Sequence, residues 1–371
     1  MAEVLLNEND LTLTLYRYPR RRNETLRAWD GVDRYFIHER LGQHSEPLLV
    51  VNDDYAALAL AAGEGTHNWN DSWLAYHNWQ ENGRVNQQAT HNDYWHWPFD
   101  DLPAVAEVWL KVPKEMALLT LQLHRLTSEL PAGVPIYLAW LDKHIPARLV
   151  ELANAYLVDV QLLKGRFKAH GLVGFSRGEA PEPLPYPTEV KVPQLPQPLL
   201  CHAGVFAQHQ LDIGSRFLLE HLPAKRKGVI VDLACGNGVL GLVAAQQNPA
   251  ADLCFADESW LAVQSAQENW QRLFPQRAAQ FIHGNGLVGW QGEAQLILLN
   301  PPFHTGHTID GKIAGALFRQ AAHKLSSDGE CWVVGNRHLG YEKLLKRHFA
   351  SVKQVGEHPK FVLFCASLPK K

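Results

Sequence analysis

No CxxC pair and no other compact cysteine spacing occurs in the 371 residues; Cys201, Cys235, Cys254, Cys331 and Cys365 stand singly in apolar runs. That pattern excludes a disulfide framework and a cysteine zinc site, and it leads us to expect reduced, buried thiols. No run of 18 apolar residues is present, so no bilayer-crossing helix is expected. Met1 is followed by AEVLLNENDLTLTL, without the basic start, apolar core and small-residue cleavage site of a secretory signal, and a cytosolic protein is expected. Charge of one sign is missing too. The 35 Lys+Arg and 38 Asp+Glu leave only −3, too little for a global field to drive nucleic-acid binding.

The charge is unevenly spread. Residues 1–200 carry 18 basic and 25 acidic side chains, whereas 201–371 carry 17 and 13. Inside the acidic half, RYPRRR places Arg17, Arg20, Arg21 and Arg22 in one cluster, continued by Arg27, which could either grip phosphates or form a solvated face. A length of 371 residues predicts two domains. Between Ser176 and Leu200 seven prolines interrupt any helical or strand period, reading as an extended linker. The expected division is 1–180, a linker over 181–200, and 201–371.

Beyond the linker, apolar strands alternate with helical stretches of ten or so residues: VIVDLA, GVLGLVAAQQ, DLCFADE, WLAVQSAQENWQRL and onward to FVLFCAS. Such alternation predicts a parallel α/β sheet covered on both faces, ending in an antiparallel hairpin. The N-terminal half repeats this grammar. Residues 107–145 can be laid on 295–339, 165–175 on 358–367, and PLLVVNDDYAALALAA at 47–62 on VIVDLACGNGVLGLVAA, with its glycines gone. The reading is a tandem of two Rossmann-like domains, the first degenerate.

Two motifs carry chemistry. In VDLACGNGVLG an acidic residue ends a strand and glycines form the turn before a helix, where free N–H groups and close backbone approach favour a ligand. The spacing Asp232, Ala234, Gly236, Gly238 lacks the GxGxxG phosphate turn, and Asp232 would repel a pyrophosphate but suit a cation such as S-adenosylmethionine. Nineteen residues after Gly238, Asp257 ends the next strand, placed to accept two ribose hydroxyls. Asn285, in FIHGNG, could meet an adenine edge. The second motif is LILLNPPFH, an apolar strand running into Asn300, Pro301, Pro302 and Phe303. Pro302 has no N–H to close on the preceding carbonyl, so the Asn300 amide oxygen and the Pro301 carbonyl can receive a planar NH2 while Phe303 stacks on its ring. His304 follows as a proton acceptor or a turn cap. The stretch 66–99, with five Trp and four His, can serve as packing or as a stacking platform for RNA bases; His67, His77, His91 and His96 lack ligand spacing, and no metal is expected.

VDLACGNG, FADES, NPPFH and GNRHL together resemble the RsmC/RlmG family of ribosomal RNA guanine-N2 methyltransferases, and GVFAQHQLDIGSRFLLEHLP with NRHLGYEKLLKRHF is similar to the RlmG branch. The resemblance implies S-adenosylmethionine as cofactor, held around Asp232, Ala234, Gly236, Asn237, Gly238, Asp257 and Asn285. It places a guanine of large-subunit (23S) rRNA between Asn300 and Phe303. It also implies a degenerate N-terminal domain, here assigned to RNA binding, and a monomer is expected. Such loops usually carry Gly where this chain has Ala234; at negative φ an alanine would cost little. Two other readings remain open. NPPF also resembles glutamine-N5 protein and adenine-N6 nucleic-acid methyltransferases, and a catalytically silent ribosome-assembly RNA-binding protein would share the fold.

Overall fold

The computed structural model describes residues 5–20, 24–144, 148–302 and 307–370, with 307–310 described by their backbone alone. Two compact units divide between Tyr186 and Pro187. Among the described residues no helix is long and apolar enough to cross a membrane.

The N-terminal unit opens with a hairpin, β1 (Leu5–Glu8) and β2 (Leu11–Thr14), then α1 (Gly31–Glu39), β3 (Leu48–Val51), α2 (Ala57–Ala62), β4 (His67–Trp69), α3 (Trp73–Val85) and β5 (Trp95–His96). It continues with β6 (Glu107–Lys111), α4 (Met116–Glu129), β7 (Pro135–Leu141), α5 (Leu149–Tyr156), β8 (Val158–Arg166) and β9 (Ala169–Phe175). Its sheet runs β5-β4-β3-β6-β7-β9-β8, parallel through β7 and antiparallel at the end. LLVV of β3 is buried on both faces, as a central parallel strand requires. Trp109 stacks on Phe36 beneath one face, with centroids 5.4 Å apart.

A ladder of asparagines organises the stretch that carries Arg17 and Arg20. Asn78 and Asn82 of α3 and its C-cap Asn86 lie four residues apart, and their amide oxygens accept the backbone N–H groups of Tyr18, Tyr16 and Thr14 at 2.8, 2.9 and 2.8 Å. Asn82 and Asn86 also return N–H donors to the Tyr16 and Thr14 carbonyls. The helical period thus binds every second residue of the extended segment that leaves β2.

The C-terminal unit contains β10 (Thr188–Val190), β11 (Leu199–Cys201), α6 (Ile213–Leu219), β12 (Gly228–Leu233), α7 (Val239–Gln247), β13 (Ala251–Asp257), α8 (Trp260–Leu273) and β14 (Gln280–His283). It ends with β15 (Ala294–Leu299), α9 (His307–Lys324), β16 (Leu325–Asn336), α10 (Tyr341–Leu345), β17 (Phe349–Glu357) and β18 (Phe361–Pro369). The sheet order is β14-β13-β12-β15-β16-β18-β17. It matches the first sheet strand for strand, with β3 answering to β12, β6 to β15 and the β8–β9 hairpin to β17–β18. The repeated order of elements read from the sequence is present in the topology, including the closing hairpin.

The proline-rich stretch departs from a free linker. β10 and β11 pair antiparallel, and Val192 and Leu199 are buried in a core cluster of the C-terminal unit. Asn269 of α8 fastens this ribbon: its Oδ1 accepts Leu200 N–H at 2.7 Å and its Nδ2 donates to the Leu200 carbonyl at 2.8 Å. The prolines flank a short strand pair rather than interrupting one, which their missing N–H allows.

Candidate functional site

The turn from β12 into α7 is built on left-handed backbone. Gly236 and Gly238 have φ of +55° and +84°. A Cβ on Gly238 would meet the Ala266 Cβ at 3.0 Å, whereas one on Gly236 would meet nothing within 4 Å, so space for a ligand opens at Gly236 alone. Ala234 corrects the sequence expectation: its φ is +57°, not negative. The alanine holds a conformation that costs about 1–2 kcal/mol for an L-residue, and the surrounding hydrogen bonds must enforce it.

Those bonds come from β13. Asp257 accepts Gly236 N–H on Oδ2 at 2.9 Å and Ser259 N–H on Oδ1 at 3.0 Å. The carboxylate keeps acceptor capacity beyond these bonds, which suits a hydroxyl. Burial pushes the Asp257 pKa up, opposed by the N–H groups of Ser259, Gly236 and Glu258. Asn237 is buried: its Oδ1 accepts Val239 N–H at 3.3 Å and its carbonyl accepts Asn269 Nδ2 at 3.1 Å. Asn285 lies just past β14, half-buried, its carbonyl receiving Val288 N–H at 3.3 Å.

Asp232 is fully buried at the centre of the unit. Its Oδ2 accepts Gly241 N–H at 2.8 Å, while Oδ1 has no partner among the described residues. Burial raises its pKa to about 8, opposed by the Gly241 bond and reinforced by the Asp257 charge. The folded protein therefore keeps a proton that the unfolded chain gives up near pH 4, so this contribution to stability is complete below pH 4 and is lost as pH rises towards 8. The melting temperature of the ligand-free protein should fall between pH 5 and 8. Asp232→Asn, which still offers Gly241 an acceptor, should make that fall shallower in scanning fluorimetry; equal slopes in both proteins would contradict the assignment.

At the end of β15 the Asn300 amide is held from one side. Its Nδ2 donates to Asp212 Oδ2 at 3.1 Å and to Ser215 Oγ at 2.9 Å, and its Oδ1 is buried with no partner among the described residues. Pro301 is buried and Pro302 exposed. Phe303 and His304 lie outside the described residues, as do Arg21 and Arg22. Sequence reading missed Asp212 and Ser215, although LDIGS, an N-cap residue followed three positions later by Ser, was available to suggest a helix start. Asp212 caps α6 by accepting Ser215 N–H at 2.9 Å.

Strand register locates the matching positions in the N-terminal unit. Val51 pairs with Leu110 and with Trp69, as Leu233 pairs with Leu299 and with Ala256. Asn52 and Ala56, at φ +62° and +60°, then answer to Ala234 and Gly238, Asn70 to Asp257 and Lys111 to Asn300. The loop shape persists while its chemistry is closed. Asp53 fills the start of α2 by accepting Ala57, Leu58 and Ala59 N–H at 3.1, 2.8 and 3.0 Å. An amide stands where Asp257 offers a carboxylate, and Lys111 Nζ is bonded to buried Asp33.

The aromatic stretch 66–99 is mainly packing: Trp69, Trp79 and Trp95 are core residues, and Nδ1 of His67 meets Nε2 of His96 at 2.9 Å. Burial, then the neighbouring His96, lowers the His67 pKa to about 4, so the pair is neutral at pH 7. Trp73 and His77 stack at 5.2 Å on the side of α3 that faces Tyr18. Arg17 lies over Tyr55 and Arg20 over Tyr16, at 4.6 and 3.9 Å. All five cysteines are free.

Comparison with known proteins matches residues 3–176 to the RLMG N-terminal domain and residues 197–365 to the Methyltransferase small domain. A protein of Alcanivorax borkumensis named Ribosomal RNA large subunit methyltransferase G is 42% identical over 369 residues, covering 95% of this chain and 94% of the relative. One of the same name from Pseudomonas aeruginosa is 39% identical over 369 residues, with 95% and 97% covered. Among solved structures, the T. thermophilus 16S rRNA N2 methyltransferase RsmC, in complex with AdoMet and guanosine, is similar in fold. It has a TM-score of 0.75 and 19% identity, and the match covers 98% of this chain and 97% of that one.

Proposed function

Because the chain belongs to the ribosomal RNA large subunit methyltransferase G family, we propose that it methylates the exocyclic N2 of a guanine in large-subunit rRNA, with S-adenosylmethionine as donor. The observation that carries this reading is the buried, unpartnered Asn300 Oδ1 at the strand end, an acceptor awaiting an N–H donor. The cofactor fits the residues present. Asp257 keeps acceptor capacity for a ribose hydroxyl, the space at Gly236 admits close approach, and a cation beside Asp232 would favour loss of the proton that burial holds there. When bound, the cofactor supplies an electrophilic methyl group on a sulfonium.

The remaining chemistry belongs to the chain. Guanine N2 is a weak nucleophile because its lone pair is delocalised into the ring. The Asn300 oxygen and the Pro301 carbonyl accept its two N–H groups and align nitrogen for in-line approach. As positive charge builds on that nitrogen the same two acceptors bind it more tightly, so their contribution is largest in the transition state. No Asp, Glu or Lys lies within NPPFHTGH. Proton loss to water follows transfer, when the methylated nitrogen is strongly acidic and needs no strong base.

Purified protein supplied with labelled S-adenosylmethionine should label large-subunit rRNA and leave small-subunit rRNA and protein unlabelled; label on protein would favour glutamine-N5 chemistry instead. Asp257→Ala should weaken cofactor binding by about 1.5–3 kcal/mol, the scale of hydrogen bonds to a charged group. Calorimetry showing unchanged affinity would remove Asp257 from the site.

The N-terminal unit is assigned to RNA binding without cofactor, since Asp53 and Lys111 close its former site and Arg17 and Arg20 ride on the segment fixed by the asparagine ladder. Changing Arg17 and Arg20 together to Glu should weaken RNA binding and lower the slope of log affinity against log salt by about 1–2; an unchanged slope would leave this unit as scaffold. A cytoplasmic monomer fits this reading, since the residues named for the site belong to a single chain and the proposed substrate is ribosomal RNA.

A further inference from the structure

We infer that Asp212 and Ser215 are positioning residues that fix which way the Asn300 amide faces. This rests on the reading of Asn300 as the acceptor for the substrate amine. An asparagine amide is nearly symmetric in shape, yet a half-turn about its last bond exchanges an acceptor for a donor. Only the oxygen can receive an N–H of guanine; a reversed amide would set NH2 against NH2. Something outside Asn300 must therefore choose between the two orientations.

Asp212 and Ser215 make that choice. Asp212 Oδ2 accepts and cannot donate, so it tolerates the Asn300 NH2 and repels the amide oxygen. Ser215 Oγ takes the second hydrogen, leaving Oδ1 buried and unpartnered. Asp212 cannot swing away, because the same oxygen caps α6 through Ser215 N–H at 2.9 Å. The helix start, not the strand, thus sets the direction of the catalytic oxygen.

The N-terminal unit shows that the fold itself brings these three positions together. There α1 starts at N-cap Asp30, its third residue is Asp33, and Lys111 ends β6 where Asn300 follows β15. Lys111 Nζ is bonded to Asp33 across the same triangle. An ammonium among carboxyls leaves no acceptor to spare, whereas Asp, Ser and Asn leave one. The contact comes from topology, and the side chains decide whether an oxygen remains to be used.

A double-mutant cycle on the full chain, read by single-turnover methyl transfer to large-subunit rRNA, tests this. Asp212→Ser keeps a capping hydroxyl but is too short to reach Asn300. It should slow transfer by roughly tenfold or more with cofactor affinity unchanged. In an Asn300→Ala background it should cost nothing further, since it acts only through that amide. Ser215→Ala, which removes one oxygen and leaves the cap, should show a smaller loss with the same non-additivity. Equal losses in both backgrounds, or a wild-type rate in Asp212→Ser and Ser215→Ala while Asn300→Ala is inactive, would overturn the positioning role and leave the reading of Asn300 standing. A wild-type rate in Asn300→Ala would overturn both.

Discussion

Asn300→Ala is expected to cut the single-turnover rate of rRNA methylation by about a hundredfold or more, with the dissociation constant of S-adenosylmethionine nearly unchanged. The two quantities separate because Asn300, proposed for the substrate, follows β15, while the groups proposed for the cofactor come from β12, β13 and the turn at Gly236. Truncation removes the unpartnered acceptor at the end of β15. It also strips Asp212 and Ser215 of their shared donor, so neither can orient a replacement. An effect confined to KM would mean that the amide binds ground state and transition state alike.

Lys111→Ala should destabilise the N-terminal unit by about 3–5 kcal/mol, because it leaves a buried carboxyl without its counter-charge. Lys111 faces four acids: burial lowers its pKa, but Asp33, Asp30, Asp53 and Asp54 outweigh that and hold it well above the ordinary lysine value. Asp33, only 1% exposed at its side chain, is pushed up to about 7 by burial against the opposing pull of Lys111. Replacing both partners, Lys111→Met with Asp33→Leu, should cost less than the single change, since no buried charge is then orphaned within the pair. Urea unfolding followed by tryptophan fluorescence reads this directly, because eight of the twelve tryptophans lie in the N-terminal unit. A single variant as stable as wild type would show the pair to be solvated rather than structural.

What the sequence made legible was local. Alternating apolar strands and helices encode a parallel sheet within a few residues, and NPPF announces a stiff strand end because proline removes its own N–H. The repeat was readable for the same reason, since strand, turn and helix recur in one order. Side-chain partnerships across long separations were not. Asp212 and Ser215 stand 88 and 85 residues from Asn300, and Asp33 stands 78 from Lys111, distances at which no period survives. Ala234 eluded sequence reading differently: its preference for negative φ is real, but the Cys235 N–H bond to the Ala256 carbonyl and the Gly236 N–H bond to Asp257 impose the left-handed turn. Asn52 holds the matching turn in the other unit with a residue type that tolerates it. The proline-rich stretch misled because proline density marks extended chain without saying whether that chain is buried.

The central claim is transfer of a methyl group to guanine N2 of large-subunit rRNA, and nucleoside mass spectrometry tests it most directly. Large-subunit rRNA lacking the modification, treated with the protein and S-adenosylmethionine and digested to nucleosides, should gain N2-methylguanosine, and Asn300→Ala should abolish that gain. N6-methyladenosine in its place, or rRNA unchanged by a folded, cofactor-binding protein, would contradict the account.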